Sequence, residues 1–446
     1  MTSATQRLPS ETISNVASPS RKTSTWSFAR NVAVLGGGAA LAQAFSVVLA
    51  PVLTRLYSPE SIGQFGIFAS FLNVSLVVVS LKYELGIMAT PTEEKAAQLT
   101  IASFLLAIPM SLLAAGALGT MMHFSLLGFG VLPSYAPAIM GLILIFGGAF
   151  YALRYWFVRQ EQFTGVSRAL VAQGGVRTTL QVVFGALGAK LGGLLGGEML
   201  GRCAGMMRMY REGWPQIRAR VFPLRREGFR EVLRENWRFP VYSFPSTLVD
   251  SLSSNICIPL IVLYYGARAG GYYALVQRVL AVPFVLIGTS VADAFHGRVA
   301  VYARDTPKQV SGLFRKTGLW LFLLGLVPAL FLGFYGQPVF KFVFGGEWGL
   351  AGEMAAVISP LFLAQFVVSP LSRLVFVLQG QRVKLIYDAL ALASMIGVFV
   401  FAAWRGWGLI EAVAMLSLTG TLTTVVYYFI LMVIVAKHSR SIASPA

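Results

Sequence analysis

Arg177, Asp250, Arg278, Arg373 and Asp388 stand inside long apolar stretches of this chain. A charge in such surroundings is costly unless it is paired or wetted, so each is a candidate for function. The three arginines offer planar forks of N–H donors that suit phosphate or an acidic sugar. Asp250 and Asp388 offer carboxylates that can hold a cation or a proton, and Glu84 is a third candidate acid of this kind. Arg177 and Asp250 each lie about nine residues into their stretch, near mid-depth at a rise of about 1.5 Å per residue. Neither they nor Arg278 has a partner within one turn of its own helix. A water-filled cavity of positive potential, suited to an anion, is the expectation.

Blander readings stand beside these. Glu198 and Arg202, four apart on one helix face, can neutralise each other, and Arg373 and Asp388 lie at similar depth. Either pair serves equally well as a fastening between helices. Lys82, Glu84, Asp293 and Glu411 sit near segment ends and can snorkel to water, and Arg278 can reach lipid headgroups in the same way. Most of the 32 Phe, 16 Tyr and 8 Trp are expected to face lipid, though some can stack on sugars.

Nothing is arranged for catalysis. His123, His296 and His438 have no acid and nucleophile beside them, and neither a zinc-protease motif nor a Walker phosphate loop occurs. Cys203 and Cys257 lie inside apolar segments without metal-type spacing and read as small packing residues. The expectation is a protein that is not an enzyme and takes no cofactor or metal.

These residues are carried by twelve apolar segments, near 32–53, 62–83, 99–121, 135–153, 169–188, 191–207, 241–264, 272–294, 317–336, 354–377, 385–404 and 408–436. Each is about long enough for a hydrocarbon core that needs ~20 residues per helix. Segments apolar on every face exclude the alternating strands of a barrel, so the fold expected is all-α and polytopic. Of the 36 Lys and Arg, 27 fall before the first segment, in the even-numbered connections (counting Lys82 at the end of the second segment) or after the last, and only five (Arg55, Lys190, Arg268, Lys341, Arg405) in the odd-numbered ones. Positive loops stay cytoplasmic, which puts both termini inside and accounts for the net charge of +18 without nucleic acid. A bacterial inner membrane is the expected location.

Residues 1–29 read as a disordered, Ser/Thr-rich cytoplasmic tail (a transit peptide has a similar composition), and 437–446 as a second tail. The stretch 208–240 is a basic linker between two six-helix lobes, 30–207 and 241–436. Within it, 225–238 could form an amphipathic helix laying Phe229, Val232, Leu233 and Trp237 on the cytoplasmic leaflet. Glycine runs at 36–38 and 192–197 would let helices pack closely. The lobes look related: Pro51, Tyr57 and Gly63 recur as Pro259, Tyr265 and Gly271, each 208 positions later. With an even number of helices per lobe the repeat is parallel, an arrangement of transporters with the substrate path between lobes.

The run Ala50-Pro51-Val52-Leu53-Thr54-Arg55-Leu56-Tyr57-Ser58-Pro59-Glu60, with Gly63-Gln64-Phe65-Gly66 after it, resembles the opening of Wzx-type polysaccharide flippases. Lys82-Tyr83-Glu84-Leu85, Phe239-Pro240, Gly271-Tyr272-Tyr273-Ala274-Leu275, Arg278-Val279-Leu280, Pro283 and Ile287-Gly288-Thr289-Ser290 are similar to that family too. The resemblance covers roughly 30–436 and implies a V-shaped exporter of the multidrug/oligosaccharidyl-lipid/polysaccharide superfamily. It implies a substrate of oligosaccharide linked to undecaprenyl pyrophosphate, flipped to the periplasmic leaflet. Membrane lipids, a polysaccharide polymerase and a chain-length regulator are the implied partners. An ion gradient would drive turnover. Two other functions compete: a drug or cation exporter of the same superfamily, and a membrane polysaccharide polymerase or ligase. The first would carry a surplus of acids in its cavity. The second usually carries a large outer loop, whereas the longest outer connection here is 337–353.

Overall fold

The structure, a computed structural model, describes residues 25–221, 226–378 and 380–441. The tail expected at 1–29 falls mostly outside these residues, and its last five residues open the first helix. The first half comprises α1 (Thr25–Val48), α2 (Ala50–Leu56), α3 (Pro59–Val78), α4 (Tyr83–Ala89), α5 (Glu93–His123), α6 (Ala136–Arg159), α7 (Phe163–Ala186) and α8 (Lys190–Val221). A short α9 (Arg226–Glu235) leads into the second half, α10 (Phe244–Asn255), α11 (Cys257–Pro283), α12 (Thr289–Asp305), α13 (Pro307–Phe344), α14 (Gly349–Ser372), α15 (Leu374–Val377), α16 (Gln381–Arg405) and α17 (Leu409–Ser441). Among the described residues all regular structure is helical.

Local chemistry sets the breaks. Ser58 caps α3 by accepting the Ser61 N–H at 3.2 Å, with Pro59 in the first turn where its missing donor costs nothing. Leu81 and Lys82 adopt positive φ between α3 and α4. Gly266, at φ 83°, breaks α11 and reverses the chain between the seventh and eighth expected segments. π-helical turns at Phe239–Ser243 and Phe284–Gly288 bracket the helices that meet at this break.

Every expected segment falls mainly on helix, but among the described residues eight helices are long and apolar enough to cross a membrane, or nine if α1 and α2 form one bent span. The shortfall from twelve has physical reasons. Segments seven and eight merge through Gly266 into one 45-residue apolar run, and α7 and α8 carry Gln173, Arg177, Gln181, Glu198 and Arg202 toward protein rather than lipid. Large apolar side chains such as Leu113, Phe334, Phe342 and Val426 are more than half exposed around the outside. Together with the apolar helices they make this a multi-pass membrane protein.

Each half packs mainly on itself: α7 with α8, α5 with α6 and α1 with α7 in the first, α13 with α14 and α14 with α17 in the second. The main seam between halves is α3 against α11. There Gly63 and Gly271 bring two backbones together: a methyl group on Gly63 would overlap the Ala267 carbonyl, and one on Gly271 the Pro59 carbonyl. The Trp348 indole N–H, before α14, donates to the Thr54 carbonyl at 3.1 Å, a second tie across the same end. That end carries the arginine-poor connections.

The opposite, basic end departs from expectation. Helix α8 runs to Val221 through Pro215, so the first part of the linker is helical. The apolar stripe of α9 faces protein, not the leaflet: Val232 is 1 % exposed and packs with Ile87, Ala97, Leu99 and Trp156. Lys95 of α5 fixes α9 by pairing with Glu231 at 3.1 Å and Glu235 at 2.6 Å. Of the four stripe residues only Trp237 is exposed.

Candidate functional site

A polar cavity of about 820 Å³ lies between the halves, lined from α1, α3, α7, α8, α10, α11, α14 and α16. Its charged lining is Arg177, Glu198, Asp250, Arg278 and Asp388. Four of the six residues singled out from sequence therefore converge there, from helices far apart in the chain. Exposed amide side chains of Asn73, Gln277 and Gln365 add donors and acceptors suited to sugar hydroxyls.

A glycine stripe builds one wall. Gly193, Gly197, Gly201 and Gly205 recur every fourth residue of α8 and let it lie against α7. A methyl group on Gly197 would come within 3.0 Å of the Arg177 carbonyl, and one on Gly205 within 2.9 Å of Gln173 Cβ. The approach puts Arg177 Nη1 at 3.6 Å from the Glu198 carboxylate, so Arg177 has a partner on the neighbouring helix that its own helix lacks. Glu198, only 3 % exposed, also accepts from Arg202 Nε at 2.7 Å, as the four-residue spacing leads one to expect. Arg278 reaches the same wall from the other half. Its Nη2 donates to Ser46 Oγ of α1, and it lies within electrostatic range of Arg177 and Glu198.

Acids mark the second wall. Asp250 on α10 is exposed to the cavity, its side chain 63 % accessible, with Lys384 Nζ at 3.8 Å. Lys384 is held more tightly by Asp388 at 2.6 Å, one helical turn along α16. Asp388 is thus neutralised by Lys384 rather than by Arg373. Arg373 stands at the bend between α14 and α15 and does not line the cavity.

Glu84 does not reach water. It is 3 % exposed at the start of α4, accepts a hydrogen bond from Ser80 and has Lys82 at 3.7 Å. Burial beside the positive-φ break makes it part of the α3–α4 corner, away from the cavity. The side chain of Asp293 lies outside the described residues. Cys203 and Cys257 are free thiols.

The cavity is therefore polarised, not uniformly positive. Counting Arg202 and Lys384, which pair with the lining acids without lining the cavity themselves, three arginines against one glutamate make the wall at α7, α8 and α11 cationic, and two aspartates against one lysine make the wall at α10 and α16 acidic. Sequence reading missed Glu198 as the hub of the first wall and Lys384 as the ion partner in the second. The glycine stripe was the available signal for the one, and the Lys384–Asp388 spacing for the other.

Residues 52–351 match the family model described as polysaccharide biosynthesis protein. The chain belongs to that family. No curated protein matches it. Among solved structures it resembles a multidrug resistance MATE family transporter of the MOP superfamily, in an inward-facing conformation, with TM-score 0.69 and 13 % identity over 89 % of this chain and 95 % of the other. It resembles the lipid II flippase MurJ in an inward closed conformation with TM-score 0.67 and 14 % identity, over 90 % of this chain and 89 % of that one. A MOP superfamily transporter from Pyrococcus furiosus aligns with TM-score 0.58 and 13 % identity, over 92 % of this chain and 96 % of the other. At these identities the likeness is one of fold: this member of the polysaccharide biosynthesis family has the fold of MOP superfamily transporters.

Proposed function

We propose that the protein is a flippase that carries an oligosaccharide linked through pyrophosphate to a polyprenyl lipid from the cytoplasmic to the periplasmic leaflet. The observation that carries this reading is the cavity between the halves, whose cationic wall takes Arg177 from one half and Arg278 from the other. Its volume of about 820 Å³ lies within the range of small-molecule sites, about 300–1,000 Å³, and the amides of its lining suit the first sugars. The lipid tail stays in the bilayer. Family membership supports a polysaccharide precursor as cargo, and the fold shared with a lipid II flippase supports movement of a lipid-linked one.

The basic end, with both chain termini, faces the cytoplasm in this reading, and the membrane is the bacterial inner membrane. The seam at Gly63 and Gly271 then closes the periplasmic end, and turnover alternates between closing there and closing at the basic end. Asp250, the more exposed and more loosely held acid, couples the cycle to an ion gradient, with Asp388 as the partner of Lys384. A polymerase and a chain-length regulator would take the product.

One observation favours a drug or cation exporter instead: three carboxylates, Glu198, Asp250 and Asp388, line the cavity. Two are already committed to Arg202 and Lys384, which leaves a single acid for a cationic cargo. Complementation separates the readings. In a strain deleted for this gene, surface glycan should disappear, lipid-linked precursor should accumulate, and the wild-type gene should reverse both. Unaltered glycan in the deletion strain, with increased sensitivity to cationic drugs, would replace the flippase with the exporter.

A further inference from the structure

The cationic wall holds a group that the proposed function does not use. Glu198 lies in the cavity lining yet is almost fully buried, and its two oxygens are treated unequally. Oε1 accepts from Arg202 Nε at 2.7 Å, within one helix, a charge-assisted bond at full strength. Oε2 has Arg177 Nη1 at 3.6 Å across the α7–α8 interface, beyond hydrogen-bond distance. The arginines differ in the same sense. The Arg202 side chain is 12 % accessible and that of Arg177 is 25 % accessible. Arg202 is the fixed counterion, and Arg177 is attracted without being tied.

Resting on the anion site of the proposed function, we propose that Glu198 is a positioning residue that competes for Arg177 with the anionic headgroup. In the empty cavity Glu198 turns Arg177 toward α8. When an anion binds at Arg278, Arg177 swings from Glu198 to the anion, while Arg202 keeps the carboxylate neutralised. Three guanidinium charges against one carboxylate leave two to be balanced, the charge borne by a pyrophosphate diester. The acid thus weakens binding and lets the headgroup leave. A transporter needs this, because a site that binds too tightly in both orientations does not turn over.

The test uses the purified full-length protein in lipid nanodiscs, inorganic pyrophosphate as the probe, and glycan export by the same variants in cells. Glu198→Gln removes the competitor and should tighten pyrophosphate binding roughly tenfold, as expected for deleting one like charge at a partly screened site, while export falls. Arg202→Gln leaves Glu198 with Arg177 alone and should weaken binding by a similar factor. The double variant E198Q/R202Q restores the charge balance and should bind close to wild type because the two opposite effects cancel, whereas a mere fastening between helices weakens binding whichever partner is removed. If both single variants and the double variant all bind more weakly, Glu198 is a structural pair and the proposal is wrong. If wild type binds pyrophosphate and Glu198→Gln leaves that binding unchanged, the proposal fails alone. If wild type itself binds no pyrophosphate, the anion site fails and takes the proposal with it.

Discussion

Gly63 and Gly271 hold the same position in the two halves of the chain and lie against each other across the boundary between them. The contact is reciprocal. Gly63 meets the carbonyl of Ala267, and Gly271 meets the carbonyl of Pro59, which is 208 positions before Ala267. A self-complementary contact of this kind is what a two-fold axis produces between subunits. Here it places the pseudo-symmetry axis of one chain between α3 and α11.

The first prediction follows from that reciprocity. Gly63→Ala and Gly271→Ala should have the same effect, because each forces a methyl group into the facing backbone, which cannot move aside as a side chain would. Each should part the halves at this end and reduce export. Cys257, 2 % exposed beside the seam, is a native reporter. In a Cys203→Ser background, its labelling by a membrane-impermeant maleimide should rise several-fold in both glycine variants. Equal labelling with intact export would show that the seam does not open and close.

Arg278 should be the most sensitive arginine of the cavity. Losing a charge-assisted hydrogen bond to the headgroup costs about 1.5–3 kcal/mol, or roughly 10- to 150-fold in affinity. Arg278→Ala should therefore abolish or sharply reduce export while the protein still inserts. Arg278→Lys keeps the charge but loses the fork and should rescue in part. Ser46→Ala removes only a neutral acceptor for Arg278 and should cost less. Full export by Arg278→Ala would leave Arg278 with no role in binding.

Asp250→Asn removes a charge from the acidic wall while keeping its shape. Transport driven by an imposed proton or sodium gradient should fall, and pyrophosphate binding at the other wall should not. Unchanged gradient-driven transport would remove Asp250 from the coupling step. Lys384→Met should alter the ion dependence as well, because Lys384 is the cation that Asp250 and Asp388 share.

Orientation can be read from reporter fusions. Cytoplasmic reporters should be active when fused at 215 and 438, periplasmic ones at 127 and 345. Phosphatase activity from the fusion at 215 would invert the whole reading.

The repeat that builds the seam was legible in sequence, since Pro51, Tyr57 and Gly63 reappear as Pro259, Tyr265 and Gly271, but that the two copies meet was not. Their roles match in the structure. Tyr57 donates to the Gln181 carbonyl at 2.6 Å on α7, and Tyr265 to the Trp407 carbonyl at 3.2 Å just beyond α16, the fifth expected helix of each half. The cost of charge in an apolar segment singled out Arg177, Arg278, Asp250 and Asp388, and the structure places all four on one cavity. Their partners were not legible, because depth along a helix says nothing about which face meets which neighbour. Arg373 and Asp388 match in depth, yet Lys384 is one turn away on the same helix and takes the carboxylate. The stripe of α9 was legible as amphipathic, but a protein groove and a lipid surface accept the same apolar residues, so periodicity could not choose between them.

That α9 is bound to the first half limits how far the second can travel. Val232 and the Lys95 pairs anchor it to α5, and Asn236 abuts Gly86 of α4. Only Asn236, Trp237 and Arg238 separate its end from the π-helical turn that opens the second half. Three residues reach at most about 10 Å when drawn straight. The base of the second half is thus on a short leash, and any rocking that exposes the cavity must pivot near Phe239, with the largest excursions at α13, α16 and α17.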